Sequence, residues 1–177
     1  MDYAGLPWIV IVKFASYLLE GFLPRIRVAL EHLEDSDLWW RPNEESNSAG
    51  NLVLHMCGNA RQWIVAGIGG KPDVRRRQDE FDTRGGVSHA ELTELIVRTF
   101  TDVDRELSAV SPAVLMEGRL IQGQRVSVLE AILHVVEHVS HHLGQLLWIT
   151  KARSGTDLGL WRIDDGVATP QWPKPDP

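Results

Sequence analysis

The sequence predicts an all-α protein, an antiparallel four-helix bundle, and three observations support this fold class. Four segments repeat apolar residues at steps of three and four, which fits the 3.6-residue period of a helix. Capping residues stand before three of these segments, and almost no stretch alternates as a strand does. The 177 residues, 44% of them hydrophobic, suffice for one sizeable core. We therefore expect one domain over residues 1–177, with its core at about 8–153 and an irregular tail at 154–177.

The first predicted helix covers residues 8–33 and is amphipathic along its whole length. Pro24 lies inside it and is expected to kink the helix or to divide it in two. A polar connection follows at residues 35–48. It carries Trp39 and Trp40, which we expect to cover one end of the core rather than to bind a ligand.

The second predicted helix begins near Asn47 or Ser48, both of which are good caps, and runs to about residue 66. A histidine in the middle of a helix is usually a core residue with a satisfied hydrogen bond. Here, however, a stripe of polar residues occupies one face of an otherwise apolar segment, which makes the histidine a candidate site residue. The stripe consists of Asn51, His55, Asn59 and Gln62.

A loop bounded by glycines and without periodicity is predicted for residues 67–87. The arginine run at residues 75–77 could contact an anionic substrate. Because Asp79, Glu80 and Asp82 follow closely, we favour a solvated face on which these charges pair. The glycines do not form a phosphate-binding loop, since no strand precedes them and no lysine-serine or lysine-threonine pair follows them.

The third predicted helix opens with a capping box formed by Ser88 and Glu91, and its apolar and charged faces are those of an ordinary bundle helix. Residues 114–126 then alternate loosely around Gln122 and Gly123. This pattern is typical of a short hairpin before the last helix.

The fourth predicted helix runs from Ser127 to about Arg153 and is the most informative segment of the chain. Ser127 and Glu130 form its capping box, and cations in its last turn suit the helix dipole. Four of the seven histidines of the protein fall within nine consecutive residues of this helix, interleaved with aliphatic core positions. They are His134, His138, His141 and His142.

Residues four apart on a helix share a face, so two imidazoles at this spacing can reach one metal ion. The spacing offers two overlapping pairs, His134 with His138 and His138 with His142, and cannot choose between them. The alternative is that these histidines line a polar seam between helices and bond to carboxylates. In a bundle, His55 from the second helix could complete a three-nitrogen set, and three protein ligands are typical of a catalytic rather than a structural metal site.

Composition excludes several other functions. The net charge of −6 argues against a nucleic-acid surface, which would be basic. The single cysteine, Cys57, rules out an intramolecular disulfide and fits a reducing cytoplasm. Lys13 and Glu20 interrupt the apolar run at residues 6–24, which has neither the basic lead nor the cleavage pattern of a signal peptide. We therefore expect a cytoplasmic protein with no nucleic-acid or membrane partner.

Two segments resemble the signatures of the DinB/YfiT-like superfamily. They are N-S-A-G-N-L-V-L-H at residues 47–55 and H-V-S-H-H-L-G-Q at residues 138–145. The R-x-x-D-E-F pattern of the loop and the Trp-Trp-Arg-Pro segment at residues 39–42 also look like an uncharacterised branch of it. The resemblance covers nearly the whole chain up to the proline-rich tail.

The resemblance implies that His55, His138 and His142 are metal ligands, because the Gly-Gln pair that follows His142 fixes the register of the second signature. The superfamily consists of four-helix bundles that bind a divalent metal, often as homodimers. Some members are S-transferases that use low-molecular-weight thiols, a related one is a hydrolase or isomerase, and many have no known activity. A small-molecule substrate, which includes such a thiol, and a homodimer are therefore the expected partners.

The remaining polar residues around this set are assigned lesser roles. His134 and His141 are expected either to support the metal ligands from behind or to be merely structural, and Glu130 and Glu137, each four residues earlier, could orient them through hydrogen bonds. Glu137 is also the nearest candidate for a general base. The pocket candidates are Asn51, Asn59 and Gln145.

Imidazole ligands suit zinc, nickel, iron and copper. We favour zinc or nickel, with iron or manganese as alternatives. The sequence thus predicts a metal-dependent thiol S-transferase or hydrolase that acts on a small molecule. The alternative is a non-catalytic metal-binding or dimerisation bundle.

Overall fold

A computed structural model describes the backbone of residues 6–172 and the side chains of residues 10–172. The side chain of Trp8 and the proline-rich end of the tail, both included in the sequence predictions, lie outside the described residues. Most of the described chain is helical. The helices are α1 (Leu6–Glu31), α2 (Asp35–Leu38), α3 (Ala49–Ala60), α4 (Arg77–Asp82), α5 (His89–Ser108) and α6 (Val128–Ser154).

Four of these helices are long and pack around one apolar core. Helix α1 packs against α5 and α6, and α3 packs against the same two helices, so that α1 and α3 lie at opposite corners. The predicted helical fold is confirmed, and the adjacency of α3 and α6 is what brings the candidate site residues together. No helix between residues 6 and 172 has an apolar stretch long enough to cross a membrane.

The predicted helix starts are confirmed by reciprocal capping boxes. In each box, the serine side chain accepts a hydrogen bond from the backbone of the third helical residue, whose own side chain accepts one from the serine backbone. The second predicted helix begins after Ser48 rather than Asn47. The three boxes pair Ser48 with Asn51, Ser88 with Glu91, and Ser127 with Glu130.

Helix α1 is not divided at Pro24, contrary to one of the two predicted outcomes. A proline inside a helix removes one hydrogen bond and crowds the preceding turn. The residues that follow it are anchored in the core: Ile26, Ala29 and Leu30 are fully buried. Their burial offsets the local cost, and the helix continues to Glu31.

The end of the second predicted helix differs in geometry from the expectation. Residues Arg61–Ala66 continue α3 as a π-helix rather than as an α-helix. Such segments are rare and occur frequently at functional sites, and no periodicity in the sequence announces them. Trp63 in this segment is buried and lies against the candidate site described below.

The predicted hairpin before α6 is confirmed. Strand β1 (Gly118–Ile121) pairs with β2 (Gln124–Ser127), and Gln122 and Gly123 form the turn with positive φ angles of 52° and 78°. Positive φ at both central residues is typical of a type I′ turn, whose twist matches that of the flanking strands.

The prediction of an irregular tail is wrong. Strand β3 (Trp161–Asp164) pairs with β4 (Val167–Pro170) in a second hairpin that turns at Asp165 and Gly166. An Asp-Gly pair between short alternating runs is a strong hairpin signal that the sequence does carry. The ring of Trp172 then lies 4.7 Å from the guanidinium carbon of Arg25, which places the tail against α1.

The paired tryptophans pack as expected. Trp39 and Trp40 are partly buried against the core, and the Trp39 indole N–H donates to the carbonyl of Val87 at 3.1 Å. The polar connection that carries them also contains the short helix α2, which was not predicted.

Candidate metal centre

Three imidazoles from two helices meet between α3 and α6. One ring nitrogen of each of His55, His138 and His142 lies within 4.8 Å of the other two. The Nε2 atoms of His55 and His138 are 3.0 Å apart. Two lone pairs at this distance repel each other unless a proton or a cation lies between them. We call this trio the histidine cluster.

His55 is oriented by a buried carboxylate. Its Nδ1 lies 2.8 Å from Oε2 of Glu80, so the ring donates its Nδ1 proton outward and directs the Nε2 lone pair into the cluster. Burial alone would raise the pKa of Glu80. Hydrogen bonds from Arg75 and His55 outweigh burial and hold this pKa below its usual value, so Glu80 is an anion at neutral pH.

His142 is oriented by a neutral amide. Its Nδ1 lies 2.8 Å from Oε1 of Gln145, which again leaves Nε2 for the cluster. The amide nitrogen of Gln145 lies 3.2 Å from Nε2 of His141, so this glutamine contacts both histidines. Burial lowers the pKa of His142, although the hydrogen bond to Gln145 opposes this effect. Gln145 was predicted as a pocket residue, and the structure places it directly behind the cluster.

His138 is held in the neutral form. Burial, with further contributions from His142, His55, His134 and Arg75, lowers its pKa to about 2. Its Nδ1 is buried and has no hydrogen-bond partner among the described residues. A neutral ring offers a lone pair to a metal ion at physiological pH, whereas an imidazolium does not.

The residues present therefore fit a divalent metal ion. Three imidazoles converge, and two of them have their outer nitrogens occupied by hydrogen bonds that orient the rings. A set of three histidines is the ligand arrangement of many zinc sites that keep one position open.

His134 lies beside the cluster rather than in it. Its Nε2 accepts a hydrogen bond from the side-chain nitrogen of Asn59 at 3.1 Å, and its ring stacks on Trp63 with 3.9 Å between the centroids. The rings of His134 and His138 are 5.7 Å apart, against 4.4 Å for His138 and His142. The geometry thus brings His138 and His142 together, a pair that the spacing alone could not select. Asn59 and His134 bond to each other beside the cluster.

Asn51 supports the site without reaching it. It is fully buried, and its side-chain nitrogen donates to the carbonyls of Glu80 and Thr83 at 2.8 and 2.9 Å. Its side-chain oxygen accepts from Arg41 at 2.6 Å as well as from the backbone of Ser48. Asn51 was predicted as a pocket residue, and its observed role is to tie α4 to the start of α3.

The two predicted carboxylate partners of α6 histidines are wrong. The side chain of Glu130 accepts from the hydroxyl of Ser127 at 2.7 Å, so it caps the helix and does not orient His134. Glu137 is exposed, and among the described residues no hydrogen bond joins it to His141, which contacts Gln145 instead. The assignment of Glu137 as a general base stays a prediction.

Arg75 and Glu80 are the site residues that sequence reasoning missed. Their side chains are only 5% and 10% exposed, which contradicts the predicted solvated face. That prediction holds for the neighbouring pair, because Arg76 is 83% exposed and lies 2.8 Å from Asp79. A signal was available: α3 and its π-helical extension contain no acidic residue, so a carboxylate partner for His55 had to come from another segment.

A cleft of about 550 Å³ lies next to the cluster. Gln145 is part of its wall and also contacts His142, while His138 and His142 are themselves only partly buried. The exposed indole of Trp148 and residues of the loop before α3 also line the cleft. The loop residues are Pro42, Glu45, Ser46 and Asn47, and the rest of the lining consists of Leu52, His141, Gly144 and Ile149.

Comparison with known proteins agrees with this fold. A family model described as "Protein of unknown function (DUF1572)" matches residues 15–166. The crystal structure of a DinB-like protein from Bacillus cereus ATCC 10987 superposes with a TM-score of 0.63 at 17% identity, covering 84% of this chain and 93% of that one. A DinB-like protein from Bacillus subtilis gives a TM-score of 0.58 at 19% identity, covering 79% and 94%. No curated protein matches the chain.

At these identities the two solved structures establish the fold alone. The family model spans most of the chain and includes all three members of the histidine cluster. The chain therefore belongs to the family described as "Protein of unknown function (DUF1572)", and it shares its fold with the two DinB-like proteins.

Proposed function

We propose that this protein binds one divalent transition metal ion through His55, His138 and His142 and acts as a thiol S-transferase or hydrolase on a small molecule. The proposal rests on the convergence of three imidazole nitrogens, two of them on rings oriented by Glu80 and Gln145. Zinc and nickel are the metals we favour, because imidazole ligands suit both.

The surroundings of the cluster support a catalytic rather than a structural site. A structural zinc site is closed by a fourth protein ligand. Gln145 is engaged with the outer nitrogen of His142 and with His141, and Glu137 is exposed, so neither is directed at the cluster. His138 and His142 are partly exposed, and Gln145, which contacts His142, also lines a cleft large enough for a small molecule.

When bound by three neutral imidazoles, a divalent ion supplies Lewis acidity, which lowers the pKa of a water or a thiol toward neutrality. The chain's own residues contribute orientation and a binding surface. Gln145 fixes His142, and Trp148 offers an aromatic face at the cleft on which an apolar or flat part of a substrate can pack.

Metal analysis of the purified protein and of matched variants tests the proposed ligand set. We expect about one bound ion per chain in the wild type and a near-complete loss in His138→Ala, because two imidazoles bind a divalent ion far more weakly than three. His32→Ala is the control, since it removes an exposed histidine that lies outside the cluster and bonds to the carbonyl of Val28. Equal metal content in wild type and His138→Ala would reject the ligand set.

A conjugation screen tests the proposed chemistry. The metal-loaded protein is incubated with low-molecular-weight thiols and small electrophiles, and hydrolysis of small esters and amides is followed in parallel. We expect turnover by the wild type and none by His138→Ala. A null result with metal bound favours the alternative, a non-catalytic metal-binding bundle.

The homodimer expected from the resemblance is part of the proposal. Sedimentation equilibrium of the purified protein measures its mass directly. A mass equal to that of one chain across the accessible concentrations would contradict it.

A further inference from the structure

The buried pair Arg75 and Glu80 lies against the histidine cluster, and Arg75 also donates to the side-chain oxygen of Gln62 at 2.8 Å. The Nε and Nη2 atoms of Arg75 lie 2.7 and 2.8 Å from the two carboxylate oxygens of Glu80, and Glu80 in turn contacts His55. Removing two charges from water is costly, and an ion pair seldom recovers more than that cost. Such a pair is therefore better explained by what it does to its neighbour than by stability.

We propose that Arg75 and Glu80 are positioning residues that fix the ring of His55 and set its strength as a metal ligand. This inference rests on the metal site proposed above. A carboxylate that accepts the outer proton of an imidazole makes the inner nitrogen a stronger donor, and loss of such a partner costs metal sites affinity. The positive charge of Arg75 balances the negative charge of Glu80, so the net charge of the pair behind His55 is close to zero.

Gly58 provides the space for this carboxylate. It lies on α3 three residues after His55, and a Cβ atom added to it would stand 1.9 Å from Oε1 of Glu80 and 2.9 Å from Nε of Arg75. No side chain other than hydrogen leaves room for the pair at this position. The absence of a side chain at Gly58 thus determines how closely Glu80 approaches the helix that carries His55.

The backbone of Glu80 is fixed from the opposite side. Its carbonyl accepts from Asn51 at 2.8 Å, and the carbonyl of Phe81 accepts from Arg41 at 3.0 Å. The ring of Phe81 lies 4.6 Å from that of His55. Helix α4 is therefore bound to α3 beside the site, and these contacts hold the backbone of Glu80 in place.

The charges predict an asymmetry between the two members of the pair. Nη2 of Arg75 lies 3.2 Å from Nδ1 of His55. Neutralising Glu80 leaves the positive charge of Arg75 without its counter-ion, next to the imidazole that is proposed to bind a dication. The guanidinium and the metal ion would then repel each other. Neutralising both residues removes that repulsion along with the carboxylate. The double variant should therefore bind metal more tightly than the variant that lacks Glu80 alone.

The test measures the Kd of Zn²⁺ by competition with a chromophoric chelator and the visible spectrum of Co²⁺ bound to the same proteins. We expect Glu80→Gln to weaken Zn²⁺ binding about 10- to 100-fold and to alter the Co²⁺ spectrum. Combining it with Arg75→Gln should recover part of the loss. Arg76→Gln is the control, because it neutralises an exposed arginine of the same segment.

A second variant keeps the proposal testable where Glu80→Gln fails to fold. Gly58→Ala retains every charge, adds a residue that favours helix, and displaces the carboxylate, so it should also weaken Zn²⁺ binding. Wild-type affinity and an unchanged Co²⁺ spectrum in folded Glu80→Gln or Gly58→Ala would overturn this inference alone. Absence of metal binding by the wild type would instead reject the proposed metal site.

Discussion

Histidines of one short segment of α6 differ in role because their ring nitrogens have different partners. In His142 the outer nitrogen, Nδ1, bonds to the amide oxygen of Gln145, and the inner nitrogen, Nε2, is left for the cluster. His134 has accepted a hydrogen bond from Asn59 at Nε2, so its lone pair is used. At the scale of a residue, the second nitrogen of an imidazole thus decides whether the first is available to a ligand.

Cys57 gives a prediction at the same scale. It is 2% exposed, and burial raises its pKa to about 12, so the thiolate that reacts with disulfide reagents is scarce at any ordinary pH. We expect no reaction of the folded protein with a chromogenic disulfide reagent at mildly alkaline pH. In concentrated guanidinium chloride, one thiol per chain should react. Rapid labelling of the folded protein would show that α3 opens readily and would contradict the packing described for it.

The cluster was predictable from the sequence, whereas its support was not. A spacing of four residues puts His138 and His142 on one face of any helix, but it does the same for His134 and His138, and only the resemblance selected the first pair. Glu80 lies 25 positions from His55, and its contact depends on the path of a loop without periodicity. A charged residue in such a loop is usually solvated, and nothing local distinguishes the buried Arg75 from the exposed Arg76.

At the scale of secondary structure, the features that local chemistry determines were predictable. A capping box requires only a serine and an acceptor three residues later, and the boxes at Ser88 and Ser127 were identified correctly. Helix α4 has six residues, too few to be stable alone, and it forms because Asn51 and Arg41 bind its carbonyl groups. Contacts between distant segments, and not propensity, account for it.

The capping box of α5 gives a prediction for an element. Ser88→Ala removes the hydroxyl that accepts from the backbone of Glu91, and we expect a loss of about 1 kcal/mol in the free energy of unfolding. Ser108→Ala, an exposed change in the last turn of the same helix, is the control and should have little effect. Denaturant unfolding monitored by circular dichroism measures both. An equal effect of the two substitutions would show that the box does not stabilise α5.

The same box predicts a pH dependence. Hydrogen bonds from Ser88 hold the pKa of Glu91 below its ordinary value of 4.5. The pKa of Glu91 is thus lower in the folded protein than in the unfolded one. The stabilisation that its carboxylate provides is therefore complete above pH 4.5 and is lost as the pH falls through the folded-state pKa. The difference in the free energy of unfolding between wild type and Ser88→Ala should therefore become smaller at acidic pH.

At the scale of the whole molecule, the cluster joins segments that are distant in the chain. His55 and His138 are separated by 83 positions, and α3 and α6 also contact each other through apolar side chains of the shared core and through the hydrogen bond from Asn59 to His134. An ion that requires both helices in place binds the folded state and not the unfolded one. Its binding free energy consequently adds to the stability of the entire fold.

Thermal unfolding measures this coupling without any assay of activity. At a metal concentration one hundred times the Kd, binding adds about 2.7 kcal/mol, which for a chain of this size raises the Tm by about 5–10 °C. We expect such a rise on adding Zn²⁺ to the chelator-treated wild type and none for His138→Ala. His32→Ala should respond as the wild type does, because its imidazole is outside the cluster and bonds to the carbonyl of Val28. A Tm that is the same with and without metal would mean that α3 and α6 are not joined through this site. A rise shared by wild type and His138→Ala would place the bound ion elsewhere on the molecule.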